Sequence, residues 1–302
     1  MKLGKPLKYA GLGVAGLLTL VLVAVGGVYG ASHRKLTRKH DVTVRPVAVA
    51  SDAATIARGK HLVTTRGCAD CHGADLGGFL VINDPMVGRL AGPNLTAGRG
   101  GLPMDYSDTD YVRAIRHGLA RDGRALMLMP SLEYQALSDE DLGAMIAYLK
   151  TVPAVDRERG PVAPGPISRL LIVNGEMKLS AEHIDHTAVR PVSVAAGISA
   201  DYGRYLAASC TGCHGENFAG GRIPGAPPDW PAAANLTPHA GNGISSWNEA
   251  AFIATLRTAK RPDGSAVSPV MPAAIGQMTD DELKALWAYL RTLAPVAPAV
   301  KG

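Results

Sequence analysis

The four cysteines of this 302-residue chain fall into two pairs, and a histidine directly follows each pair. The first motif is Cys-Ala-Asp-Cys-His over residues 68–72, and the second is Cys-Thr-Gly-Cys-His over residues 210–214. A C-x-x-C-H run is typical of a c-type haem attachment site. Two thiols at this spacing reach the two vinyl groups on one edge of the porphyrin, and the adjacent imidazole is carried beneath the ring, where it binds the iron.

Two other uses of a C-x-x-C pair are a redox-active dithiol and half of a zinc site. Neither needs a histidine immediately after the second thiol, and zinc requires further ligands close by. Because the two motifs use every cysteine in the chain, the sequence also excludes a disulfide framework. We therefore predict two covalently bound haem c groups. Their attachment residues and histidine ligands are Cys68, Cys71, His72, Cys210, Cys213 and His214.

The sixth ligand of each iron is predicted from spacing. Met129 lies 57 residues after His72, Met271 lies 57 residues after His214, and a proline follows each methionine. A thioether sulfur is a soft ligand that raises the reduction potential of haem iron relative to ligation by two histidines. A methionine is more often a core residue than a ligand. The equal spacing nevertheless favours Met129 and Met271 over Met127, whose counterpart in the second half is not methionine.

An Asn-Leu-Thr run lies between each motif and its predicted axial methionine, at residues 94–96 and 235–237. Asn94 and Asn235 are therefore predicted to line the haem edge, where an amide can hydrogen-bond a propionate. The alternative is local turn chemistry, which Asn also supports.

Pro93 precedes the first of these runs, and its carbonyl is predicted to accept a hydrogen bond from the His72 imidazole and so fix the orientation of the ring. The second half has Ala234 at this position, which gives the interpretation less support there. Three further histidines have no histidine at the matching position and are predicted to be surface or loop residues: His61, His117 and His239.

The two motifs belong to a duplicated unit of about 110 residues, a common size for one domain. The runs Arg-Pro-Val, Asn-Leu-Thr, Asp-Gly, Met-Pro and Ala-Tyr-Leu occur in the same order in both units. The predicted organisation is an N-terminal segment over 1–40, a first domain over 41–155, a semi-rigid Pro-rich connector over 156–189 and a second domain over 190–302.

Each unit has a helical pattern. Ser-x-x-Asp at 138–141 and Thr-x-x-Glu at 279–282 are capping-box signatures, and apolar residues follow both at helical spacing. Further helices are predicted before each motif and before each axial methionine. Gly59 and Gly203 allow a close helix crossing, predicted to be against Tyr148 and Tyr289 respectively. No segment alternates as a strand, so the predicted fold class is all-α.

Residues 10–28 contain no charged side chain. With their flanks they reach the roughly 20 residues that span a bilayer. A cleavable signal peptide is the alternative, but its apolar core is usually about 7–15 residues long. We predict a single-pass membrane anchor. Basic residues flank both ends (Lys2, Lys5 and Lys8 before it), so the positive-inside rule does not decide the orientation.

The net charge of +5 resides in that anchor segment, because the first 40 residues carry seven Lys or Arg and no Asp or Glu. The remainder is slightly acidic, which argues against nucleic acid as a partner. Hydrophobic residues make up 47% of the chain but aromatic residues only 5%. The cores are therefore expected to be filled by aliphatic side chains and by cofactor.

These motifs resemble the class I c-type cytochromes. The Asn-Leu-Thr loop, the Asp-Gly before the axial methionine, Met-Pro and the Ala-Tyr-Leu helix are similar to the cytochrome subunits of bacterial membrane-bound alcohol, aldehyde and gluconate dehydrogenases. Those subunits usually carry three haem motifs, and this chain has two. The resemblance implies two tandem haem-binding domains after a transmembrane helix, on the periplasmic side of the bacterial cytoplasmic membrane.

The function that the resemblance implies is electron relay from a dehydrogenase-type donor to a quinone, a cytochrome or a terminal oxidase. The alternatives are a haem enzyme, such as a dihaem peroxidase or a thiosulfate-oxidising cytochrome, and a gas sensor. Both generally need an open or displaceable ligand position, whereas each unit here offers a methionine. We predict no catalytic residue and leave open whether the chain has an activity of its own.

Overall fold

The computed structural model describes residues 5–227 and 229–297. Lys2 of the predicted basic flank and residues 298–302 of the predicted second domain lie outside this part of the chain. The described chain begins with helix α1 (Lys5–Thr37), in which most of the large apolar side chains between Tyr9 and Tyr29 are exposed.

Helix α1 is a candidate membrane span. It has 33 residues, which corresponds to about 50 Å at 1.5 Å per residue, more than the roughly 30 Å of a hydrocarbon core. Its mean hydropathy is 2.3 over the most apolar window. A signal sequence has the same character, so the uncleaved anchor stays a prediction.

The first repeat, residues 41–155, forms a helical unit around one core. Its elements are α2 (Ala53–Thr65), α3 (Cys68–His72), β1 (Gly77–Asp84), β2 (Gly88–Asn94), α4 (Asp108–His117), α5 (Ser131–Tyr134) and α6 (Asp139–Leu149). Helices α2, α4 and α6 supply most of this core. The apolar residues with helical spacing are buried in it, as predicted: Tyr111, Val112, Ile115, Leu142, Met145, Ile146 and Leu149.

The expectation that no segment forms a strand is wrong for the first repeat. Strands β1 and β2 form an antiparallel hairpin, with Phe79 opposite Gly92, and a third strand, β3 (Ala163–Pro164), pairs with the start of β2. The all-α prediction therefore describes most of the fold but not this hairpin. Two closely spaced glycines, a proline and an irregularity in the strand pairing interrupt the alternation of side chains, which hid the strands in the sequence.

The predicted connector, residues 156–189, is ordered against the first repeat. It contains β3 and helix α7 (Pro166–Asn174), which packs on α1 and buries Ile172. Within the apolar run from 170 to 173, Ile172 is buried and Leu170 is exposed. The domain boundaries at 155/156 and 189/190 remain a prediction.

The second repeat repeats the helices of the first. It contains α8 (Ala200–Ala207), α9 (Thr211–His214), α10 (Glu249–Thr258) and α11 (Asp280–Leu290). Short 3-10 turns cover Ala208–Cys210 and Ala273–Gln277. Its core is built mainly from α8, α10 and α11, with these buried side chains: Tyr202, Leu206, Phe252, Leu283, Leu286 and Leu290.

The two predicted glycine crossings are confirmed. A Cβ at Gly59 would collide with the Ala144 carbonyl and lie 2.9 Å from Cβ of Tyr148. A Cβ at Gly203 would collide with the Ala285 carbonyl and lie 2.7 Å from Cβ of Tyr289. Glycine is therefore required where α2 crosses α6 and where α8 crosses α11.

The two capping boxes differ. At the start of α11 the box is complete, because Thr279 and Glu282 exchange hydrogen bonds of 2.8 and 3.2 Å. At the start of α6 Ser138 accepts from the amide of Asp141, but the Asp141 carboxylate does not return the bond. It accepts instead from Nε of Arg58 at 2.6 Å and from a side chain of the second repeat.

Two of the histidines predicted to be surface or loop residues are partly or fully buried. His61 is partly buried between the repeats, with Nε2 2.8 Å from the Glu282 carboxylate. His117 is buried at the end of α4, with Nδ1 3.0 Å from Nδ1 of His186 in the connector. The sequence did not reveal these contacts because both partners are distant in the chain.

Candidate haem-binding site

The first motif is helix α3, a single helical stretch that carries Cys68, Cys71 and His72. The hairpin lies against it, and β2 brings the carbonyl of Pro93 to 2.9 Å from Nδ1 of His72. The predicted contact is therefore confirmed. A carbonyl only accepts, so Nδ1 carries the proton and Nε2 keeps the lone pair that binds a metal.

The second motif reproduces this geometry. Nδ1 of His214 lies 2.8 Å from the carbonyl of Ala234. Because the acceptor is a backbone carbonyl, alanine serves as well as proline. The expectation that the contact is less well supported at Ala234 was therefore wrong. Burial lowers the pKa of both imidazoles, and the hydrogen bond to the carbonyl partly opposes this. Both rings are thus held as neutral imidazoles, the form that ligates iron.

The thiols do not have the character of a redox-active pair. Burial, reinforced by Cys71, raises the pKa of Cys68 to about 12, and burial raises the pKa of Cys210 to about 11. Redox-active and nucleophilic cysteines have lowered pKa values. This observation disfavours the dithiol alternative for both motifs.

Both motifs open into one largely apolar cavity of about 390 Å³, which lies in the roughly 300–1,000 Å³ range of cofactor sites. The second repeat supplies most of its walls, from α10, α11 and the loops beside them. All eight predicted attachment and axial residues line it: Cys68, Cys71, His72, Met129, Cys210, Cys213, His214 and Met271. Two thiols, a neutral imidazole and a thioether per repeat, around apolar walls, fit covalent haem c.

The rival methionines lie elsewhere. Met127 packs in a separate cluster with Leu119 and Leu179. Met278, a second candidate whose counterpart in the first repeat is Leu137, is buried in the core of the second repeat. Neither is among the cavity-lining residues of the described chain. This arrangement favours Met129 and Met271 as the axial pair, an assignment that remains a prediction.

Asn94 and Asn235 are buried, and their amides bind the chain itself. Oδ1 of Asn94 accepts from the amide and hydroxyl of Thr96 at 2.9 and 2.8 Å, and Nδ2 donates to the carbonyl of Val155 at 2.7 Å. Asn235 makes the same bonds to Thr237 and to the carbonyl of Val296. The structure thus favours the turn interpretation. Each asparagine ties its loop to the segment that follows the last helix of its repeat.

One residue that the sequence did not single out joins the two motifs. Arg66 of the first repeat is buried, and its Nη1 donates to the carbonyl of Leu206 at 3.0 Å and to Oγ of Ser209 at 2.8 Å. Arg66 lies two residues before Cys68, and Ser209 directly precedes Cys210. We call this contact the Arg66 bridge. The repeat comparison could not find it, because Ala208 occupies the matching position in the second repeat.

The Arg66 bridge is supported by helix α5. The hydroxyl of Tyr134 donates to the carbonyl of Arg66 at 2.8 Å, and the Glu133 side chain lies against Gly212 of the second motif. Burial raises the pKa of Glu133 to about 7. The first repeat therefore contacts the second motif from two sides.

Comparison with known sequences agrees with this geometry. The sequence model of the family described as cytochrome c matches residues 56–153 and again residues 200–294. The chain belongs to the cytochrome c family. Cytochrome c domains carry covalently bound haem c, and the two matches coincide with the two repeats.

The relatives of this cytochrome are subunits of dehydrogenases. It is 28% identical over 279 residues to the fructose dehydrogenase cytochrome subunit of Gluconobacter japonicus, covering 82% of this chain and 54% of the relative. It is 28% identical over 286 residues to the gluconate 2-dehydrogenase cytochrome c subunit of Pantoea cypripedii, covering 83% and 63%. It is 25% identical over 276 residues to the alcohol dehydrogenase (quinone) cytochrome c subunit of Gluconobacter oxydans (strain 621H), covering 83% and 57%.

This cytochrome thus spans little more than half of the length of the relatives it matches. Their names support electron transfer as the function of this chain.

Proposed function

We propose that this cytochrome binds two haem c groups and relays electrons at the outer face of the bacterial cytoplasmic membrane. The donor would be a dehydrogenase subunit, and the acceptor a quinone, a cytochrome or a terminal oxidase of the respiratory chain. The observation that carries the proposal is that both C-x-x-C-H motifs line one cavity and are joined by the Arg66 bridge.

When bound, each haem exchanges single electrons at its iron, and the protein determines the position and potential of that iron. The chain supplies the attachment thiols, and it orients each imidazole through a backbone carbonyl at 2.9 or 2.8 Å. The apolar walls exclude water. The Arg66 bridge holds the attachment segment of one repeat to that of the other, which keeps the path between the two sites short.

The proposed ligand set also favours relay over catalysis. Each repeat offers a methionine on the cavity wall, Met129 or Met271, and an iron with a histidine and a methionine has no position left for a substrate. No observation in the described chain favours a peroxidase, a thiosulfate-oxidising cytochrome or a sensor over this arrangement.

The proposed location rests on α1. Its apolar exposed surface is suited to lipid, and the relatives named above are cytochrome subunits of dehydrogenases. Covalent haem is attached outside the bacterial cytoplasm, so the haem domains would face the periplasm.

The test is the haem content and spin state of the full-length protein purified from membranes. Relay predicts two covalent haems per chain, both low-spin, with an oxidised-state absorption band typical of methionine ligation and no turnover of peroxide or thiosulfate. A high-spin haem together with turnover of either substrate would overturn the proposal in favour of a haem enzyme.

A further inference from the structure

The first repeat and connector expose apolar side chains beside helix α1. Met86, at the turn between β1 and β2, is 52% exposed, and Ile167 and Leu170, one turn apart on α7, are 40% and 45% exposed. The turn is fixed to α7, because the amide of Ile167 donates to the carbonyl of Met86 at 2.9 Å. The hydroxyl of Ser168 also donates to the carbonyl of Val87 at 2.7 Å. We call Met86, Ile167 and Leu170 the apolar patch.

Helix α7 packs on the end of α1. The guanidinium of Arg169 lies 4.7 Å from the ring centre of Tyr29 and donates to Oγ of Ser32 at 3.0 Å. One turn later in α7, the carbonyl of Ile172 accepts from Nζ of Lys35 at 3.0 Å. Helix α1 therefore does not end in a free linker, and its last turns have a fixed orientation relative to the first repeat.

These contacts also give the direction of α7. Going from Arg169 to Ile172 along α7 corresponds to going from Tyr29 towards Lys35 along α1, so the two helices have the same sense. The N-terminal end of α7, which carries Ile167 and holds Met86, therefore points towards the apolar part of α1. Arg169, near this end of α7, lies over the ring of Tyr29, which directly follows the uncharged stretch of residues 10–28.

Along α1, the side chains change from apolar to tyrosine to basic, which is the order expected where a transmembrane helix leaves the bilayer. Tyrosine is enriched where a transmembrane helix leaves the hydrocarbon core, and basic side chains after it suit anionic headgroups. Here Tyr29 is followed by basic residues in the last turn of α1 and directly after its end: Arg34, Lys35, Arg38 and Lys39. Exposed apolar side chains at the tyrosine level bind the boundary between headgroups and acyl chains.

We propose that the apolar patch is inserted into the lipid boundary beside α1. It would act as a second membrane contact that holds the haem domains in one orientation above the bilayer. The inference rests on the proposed membrane anchor. The apolar patch would contact the same lipid monolayer that α1 enters.

The test uses the full-length protein with its haems, in nanodiscs of phosphatidylethanolamine and phosphatidylglycerol that contain a lipid with a photoactivatable acyl chain. After illumination, labelled peptides are identified by mass spectrometry. Labelling of α1 reports the anchor, and labelling of residues 84–87 and 166–170 reports the patch. The peptide around Met104, which is fully exposed, is the internal control.

The expected result is labelling of α1 and labelling of both patch peptides at least tenfold above the Met104 peptide. In the double variant Met86→Glu with Ile167→Glu, patch labelling should fall at least fivefold while α1 labelling is unchanged. Labelled α1 with unlabelled patch peptides would overturn the inference and leave the anchor intact. Unlabelled α1 would overturn the anchor and the inference together.

Discussion

The hydroxyl of Tyr205, in the second repeat, donates to Oδ2 of Asp141, in the first, over 2.6 Å. The same hydroxyl accepts from the amide of Ser138 at 3.1 Å. Asp141 and Glu282 occupy equivalent positions in the capping sequences of the two repeats. His61 and Tyr205 are also equivalent, because each lies two residues after the glycine of its helix crossing, Gly59 or Gly203. The His61–Glu282 contact is thus the counterpart of Tyr205–Asp141, and the repeats pack in a nearly reciprocal manner.

The first prediction concerns this interface. In Tyr205→Phe, Asp141 and the Ser138 amide each lose a partner at a buried site, and a hydrogen bond to a charged group contributes about 1.5–3 kcal/mol. We expect the free energy of unfolding in a denaturant titration to fall by about that amount. Burial and the Asp141 carboxylate raise the pKa of Tyr205 to about 12, so the loss should be the same at pH 6 and pH 8.

The matched control is Tyr289→Phe, which removes a hydroxyl with no hydrogen bond in the described part of the chain. It should change the free energy of unfolding far less. Equal effects of the two variants would contradict the role of the Tyr205–Asp141 contact.

A second prediction concerns the axial ligands. Met129→Ala and Met271→Ala should each lower the potential of one haem and leave the other close to its original value. Axial ligands set potentials over roughly 0.8 V, so a drop on the order of 0.1 V or more is expected in a potentiometric titration. Met127→Ala, in its separate cluster, should leave both potentials unchanged. A shift in Met127→Ala with none in Met129→Ala would reverse the assignment.

The third prediction separates the two interpretations of the Asn-Leu-Thr loops. Asn94→Ala leaves the buried Thr96 amide without its acceptor, and the Val155 carbonyl keeps only the Thr96 hydroxyl at 3.5 Å. The free energy of unfolding should therefore fall by about 2 kcal/mol. The haem spectrum and potentials of the folded protein should stay as they are. If the potential of one haem shifted while stability held, Asn94 would be a haem-edge residue.

A fourth prediction concerns the pH dependence of stability near the first motif. Arg157 donates two hydrogen bonds to the Asp75 carboxylate, at 2.9 and 2.8 Å, and these lower the pKa of Asp75 to about 2. A carboxyl whose pKa is lowered on folding stabilises the protein above its unfolded pKa, near 4, and loses that contribution as the pH falls towards 2. Asp75→Asn should therefore melt below the wild type at pH 6.

The difference in melting temperature should shrink as the pH is lowered from about 4 to 2. A difference that is constant over this range, or that grows as the pH falls, would contradict the proposed coupling between Asp75 and Arg157.

The features predicted correctly from the sequence are those that depend on the spacing of residues along the chain. The motifs, the repeat, the helices and the glycine crossings at Gly59 and Gly203 all follow from residue types at fixed intervals. The contact of Pro93 with His72 was also predicted, from the position of Pro93 directly before the first Asn-Leu-Thr run.

What the sequence did not predict depends on contacts between distant segments. In β1 and β2, apolar and polar side chains do not alternate regularly, so the sequence gives no strand signal there. The Arg66 bridge has no counterpart in the second repeat. The Asp141 carboxylate does not complete its capping box, because it binds Arg58 of α2 and Tyr205 of the second repeat instead. The amide of Asn94 was predicted to face the cofactor because its actual partner, the carbonyl of Val155, lies 61 residues away in the sequence.

The central claim, that the two haem sites form one electron path within one chain, is tested most directly by pulse radiolysis of the full-length protein. After one haem is reduced, the electron should redistribute to the other at a rate independent of protein concentration. Arg66→Ala should slow this step, whereas Arg99→Ala, at a side chain that is 73% exposed, should not. A redistribution rate proportional to protein concentration, or no redistribution at all, would contradict the account.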